Sequence, residues 1–81
     1  MLRMTAGTKL KPVEVVRRAV NFFGPGGYGL EVKDESAGYV CFEGGGGGVE
    51  VIVSAEAKGA SVELVSREWD YQVKEFLGNI S

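Results

Sequence analysis

The chain has 81 residues, with nine basic and eleven acidic side chains, a net charge of −2, no histidine and one cysteine. That length supports one small domain, residues 1–81, with a modest core. The composition excludes His-dependent triads and dyads, a Cys/His zinc site and a disulfide within one chain.

A hydrophobic content of 44% marks a globular chain rather than a disordered one. The isoelectric point, near 5.1, argues against a nucleic-acid partner. Charge is uneven along the chain. Residues 1–40 hold six basic and four acidic groups, net +2, and residues 41–81 hold three basic and seven acidic groups, net −4. Such asymmetry can orient an encounter with a partner or a second copy. No apolar run approaches the ~18–20 residues that span a bilayer. The segment Met1-Leu2-Arg3-Met4-Thr5 has a charge but no apolar core, so no signal peptide is expected. The single thiol, Cys41, suits a reducing compartment, and a cytoplasmic protein without membrane contact is expected.

In chain order, residues 2–10 alternate loosely, with Leu2, Met4 and Ala6 on one side, as a first strand or a frayed terminus would. Residues 12–23 predict a helix. Pro12 suits its first position, and Val13, Val16, Ala19, Val20 and Phe23 mark one face, widened by Val15 and Phe22. Gly24-Pro25 stops it, with Gly24 expected in the left-handed conformation. After a glycine-rich connector, Leu30–Lys33 and Tyr39–Glu43 predict strands flanking a turn at 34–38. Five glycines follow. Val49–Ala57 then alternates as a strand, and Lys58-Gly59 predicts a two-residue hairpin turn into Ala60–Val65. That turn would pair Ala55 with Val62 and Val53 with Leu64. Ser66 is positioned to cap a last helix whose apolar face holds Trp69, Val73, Phe76, Leu77 and Ile80. The fold class expected is α+β, a two-layer sandwich. Its antiparallel sheet has four or five strands with both helices on one face, in the order (β)-α-β-β-β-β-α.

The run Lys9-Leu10-Lys11-Pro12-Val13-Glu14-Val15-Val16, leading to Val20 and Phe23, resembles the opening of the START-like (helix-grip) proteins. There a first strand leads into a Pro-x-Glu-x-Val helix, an antiparallel sheet and a closing helix. The resemblance implies a cavity for a small apolar ligand between sheet and closing helix. Phe23, Trp69 and Val73 would line that cavity here. START-like domains are considerably longer and have more strands. A TATA-binding-protein-like arrangement has the same order of elements.

The glycine run Gly44–Gly48 suggests a phosphate loop, but a strand rather than a helix follows it and no lysine adjoins it. A hairpin loop is therefore expected. Glu50, Glu56 and Glu63 should share the solvated sheet face, where paired acids are ordinary and no catalytic residue stands out. No D-x-D-x-D-G loop is present for a hard cation, and neither a metal nor a cofactor is expected. A five-residue glycine loop would place Val40 opposite Ile52, and the 58–59 turn would place Ile52 opposite Val65. Val40, Ile52 and Val65, flanked by Phe42, would then form an apolar row on the uncovered face. A sheet covered on one side should be polar on the other. The row therefore predicts a non-enzymatic assembly surface, for a homodimer or another protein partner.

Overall fold

The structure, a computed structural model, describes all 81 residues. Its elements are β1 (Leu2–Thr8), α1 (Pro12–Phe23), β2 (Glu31–Ser36), β3 (Tyr39–Gly44), β4 (Gly47–Glu56), β5 (Gly59–Arg67) and α2 (Asp70–Ile80). The order β-α-β-β-β-β-α and the α+β class are as the sequence indicates. Residues 2–8 do form a strand. All five strands are antiparallel in one sheet ordered β1-β5-β4-β3-β2. No helix is long and apolar enough to cross a membrane.

The sheet alternates as period-2 geometry demands. Val40, Phe42, Val49, Val51, Val62 and Leu64 project to the helix side and are buried. Helix α1 meets them with Val15, Val16, Ala19 and Phe23, and α2 with Val73, Phe76, Leu77 and Ile80. Phe23 is the hinge of this core, its ring 5.5 Å from Phe42 and 5.4 Å from Phe76. Side-chain burial is what holds α1, since its four valines are poor helix formers. Val13, expected on the apolar face, is 64% exposed. At 100° per residue it lies about a quarter-turn from the stripe centred on Val16, Ala19 and Phe23.

Both tight hairpins differ from expectation, with unlike consequences. The β4–β5 chain reversal falls at Ala57-Lys58, so Val53 faces Val62 and Ala55 faces Ala60. The partners are displaced by two positions, and each side chain keeps its face. The β3–β4 reversal is not a five-residue loop. It is a two-residue turn at Gly45-Gly46, with φ of 59° and 83° and Gly44 opposite Gly47. Positive φ at both central residues is the requirement of a type I′ turn, whose twist matches that of the strands. This shifts the register by one and turns β3 over.

The helix ends differ too. Gly24 is extended, with φ −75° and ψ −165°, and it is Gly29 that takes a positive φ of 85°. Strand β5 continues to Arg67, opposite Gly48, so α2 begins at Asp70 rather than just after Ser66. Glu68 turns the chain between them with φ 69°, the only non-glycine residue at positive φ. Ser66 is buried, and its Oγ accepts the Trp69 N–H at 3.1 Å and donates to Asp70 Oδ1 at 2.9 Å. It braces the turn that leads into the helix.

Candidate functional site

Both helices lie on one side of the sheet, which leaves the other face as the broad surface no element covers. Its residues follow from register. Tyr39, Ile52, Glu63 and Thr5 form one row across β3, β4, β5 and β1. Cys41, Glu50, Val65 and Arg3 form the next. The apolar row expected here is therefore absent in that form. Val40 and Phe42 belong to the opposite face and are fully buried beneath the helices. The physical reason is the one-residue register change at the glycine turn. It also lets two large apolar side chains leave water, each worth roughly 1.5–3 kcal/mol when fully buried.

What remains is a checkerboard, with Cys41, Ile52 and Val65 on diagonals and polar groups between them. Val65 is only 8% exposed, although no layer lies over it. A depression of about 260 Å³, lined in part by Met1, Cys41, Glu50, Val65 and Arg67, opens beside it. Ile52 and Cys41 are half-buried. The ionisable neighbours are paired with one another. Tyr39 donates its hydroxyl to Glu50 Oε2 at 2.7 Å, and the Arg3 guanidinium binds Glu63. The Glu50 carboxylate, together with partial burial, pushes the Tyr39 phenol well above its ordinary pKa of 10.0. Glu56, the third acid expected on this face, lies exposed at the hairpin end. Neither the Tyr39–Glu50 nor the Arg3–Glu63 pair follows from the expected registers. The first becomes visible once the glycine turn is taken as two residues, which sets Tyr39 diagonal to Glu50.

The residues suggested as a ligand pocket lie elsewhere. Phe23 and Val73 are fully buried in the core and line none of the five main depressions. Trp69 is half-buried against the glycine turn. Its Nε1–H donates to the Gly44 carbonyl at 2.9 Å, and a Cβ on Gly45 would come within 2.7 Å of its ring. Tyr28 meets Trp69 edge-on at 5.9 Å and donates its hydroxyl to Glu75 at 2.8 Å. That carboxylate raises the Tyr28 pKa.

The glycine run is accounted for by this packing. A Cβ on Gly47 would stand 1.9 Å from the Arg67 carbonyl oxygen. The run thus makes a tight reversal and lets β5 and Trp69 approach. No group of three or more His, Cys, Asp or Glu side chains is placed to share a metal ion.

The fold and the uncovered face define a two-layer α+β domain with one bare sheet face. Comparison with protein-family models, curated proteins and solved structures returns no match.

Proposed function

We propose that this chain is a non-catalytic assembly domain that associates through the outer face of its sheet, with a second copy as partner. The observation that supports this reading is the set Cys41, Ile52 and Val65 on three adjacent central strands of an uncovered face. A sheet open to water on one side ordinarily carries polar residues there. Both charge signs, from Arg3, Arg67, Glu50 and Glu63, are interspersed with the apolar groups. A face of that kind can meet a copy of itself without stacking like charges. Sheet-on-sheet contact of this type packs faces about 10 Å apart, with side chains interdigitated.

The test is the mass in solution, measured by light scattering over a dilution series. The wild-type chain is expected to associate with rising concentration. Ile52→Lys is expected to abolish that contact while leaving the thermal transition of the monomer nearly in place. A wild-type mass of one chain at every concentration, or an association indifferent to Ile52→Lys, overturns the reading.

A further inference from the structure

The sheet has two edges, and they are built differently. Strand β2 carries four charges in six residues, Glu31, Lys33, Asp34 and Glu35, and its pairing with β3 is interrupted between Val32 and Asp34 by a bulge. Charges and bulges are the devices that keep an edge from pairing with another chain. Strand β1 has no bulge and a single charge, Arg3. Its seven residues pair with β5 in unbroken register, without proline.

We propose that this unguarded edge pairs with itself: two copies join β1 to β1 antiparallel about a two-fold axis at Thr5, making one ten-stranded sheet. The sequence of β1 is self-complementary about that point. Thr5 meets Thr5 of the second copy, Met4 meets Ala6, Arg3 meets Gly7 and Leu2 meets Thr8. A Cβ on Gly7 would meet nothing within 4 Å, so there is room on the outer face where Arg3 of the other copy lies. The two arginines are then four residues apart along the strand, roughly 14 Å. Each is also held by the Glu63 of its own chain. On the helix side, Leu2, Met4 and Ala6 are only half-buried, whereas the inward residues of β5 behind them are fully so. Met4, Ala6 and Leu10 are the unfinished margin of the core. The second copy sets its own Met4 and Ala6 against that margin. Self-complementarity is what selects a copy of this chain over an unrelated strand.

This contact goes beyond the face-to-face association proposed above, because edge and face are separate surfaces. Its test is Thr5→Cys in a Cys41→Ser background, exposed to oxidised glutathione. The opposed α-carbons of an antiparallel pair lie about 4.5–5.5 Å apart, within the span a disulfide bridges. Thr5 is exposed, so the substitution leaves the core alone. The two-chain disulfide is expected to form at least about tenfold faster than from the control Asn21→Cys, exposed on helix α1 away from the outer sheet face, given the local concentration that pairing creates. Thr5→Lys is a second variant. Thr5 lies opposite Glu63 within its own sheet, so the monomer gains a cross-strand pair while the two-fold contact gains opposed lysines. That variant should lose the edge dimer. With Ile52→Lys added to remove face contacts, cross-linking at Thr5→Cys should persist. Cross-linking no faster than the control, or lost when Ile52 is changed, overturns the edge pairing.

Discussion

Phe42 decides between the two registers of the glycine hairpin, and Phe42→Ala measures which is right. In the observed register its ring is fully buried and packs 5.5 Å from Phe23, centre to centre. Deleting it removes the transfer energy of the ring and leaves a cavity that α1 and the sheet close only in part. The expected loss is about 3–5 kcal/mol. A domain of this size has a total stability of about 4–12 kcal/mol, so the loss is a large share of it. At a urea slope of about 1–1.5 kcal/mol/M, the midpoint should fall by about 2–5 M. Trp69 is the only tryptophan and sits against the same hairpin, so its fluorescence follows the transition. Cys41→Ala, on the opposite face, is the matched control and should cost less than about 1 kcal/mol. Should Phe42→Ala leave no folded baseline, Phe42→Leu should show the same sign at about 1–2 kcal/mol. A loss for Phe42→Ala below about 1 kcal/mol, equal to the control, would refute the inward placement and the two-glycine turn with it.

Three further outcomes are expected. Gly47→Ala forces a Cβ against the Arg67 carbonyl and should cost about 1–3 kcal/mol in thermal or urea unfolding, whereas Gly46→Asn, with open space and a left-handed φ that asparagine accepts, should be nearly neutral. Glu68→Gly relieves a left-handed backbone at an exposed site and should stabilise by about 0.5–1 kcal/mol, a rise of a few degrees in Tm by calorimetry. The Tyr39 phenol, raised by its hydrogen bond to Glu50, contributes stability fully present below pH 10.0 and lost as the pH climbs through its higher folded value. Ultraviolet titration should therefore show a late-ionising tyrosine that returns towards the ordinary range in Glu50→Gln.

Much of this fold could be seen in the sequence, and the two hairpins show where that ends. In the β4–β5 hairpin the turn lies one residue before the expected Lys58-Gly59, yet partners differ by two and the alternation of Val51, Val53, Val62 and Leu64 still names the inward face. In the β3–β4 hairpin the difference is one position of register, and with a period of two that reverses every side chain. The strand Tyr39-Val40-Cys41-Phe42-Glu43 is apolar on both faces, so its own pattern could not choose. Five glycines without side chains marked no turn centre either. The choice is made from a distance, by the Trp69 indole on the Gly44 carbonyl and the close approach of Arg67 to Gly47. Helix α1 was legible from its periodicity, whereas Val13 was not, because a stripe about one-third of the circumference leaves its borders to tertiary contact. On the outer face, the positions of Ile52 and Val65 follow from the alternation of β4 and β5. Tyr39–Glu50 is hidden in the sequence because the glycine run leaves the β3–β4 register open.

The strand order carries a consequence for how the chain reaches this structure. Strands β2 to β5 are a meander, each paired with its neighbour in sequence, and short loops of that kind close quickly. Strand β1 is the exception. Leu2 lies opposite Ser66, about sixty residues on, so β1, made before the other four strands, must wait for β5 before it has a partner. Closing that long interval is the entropic bottleneck of folding. Until it closes, one side of β5 lies vacant, and β1 from a neighbouring copy fits that vacancy as well as the chain's own. Folding at high concentration should therefore trade β1 between copies, and dilution during refolding should favour the self-contained monomer.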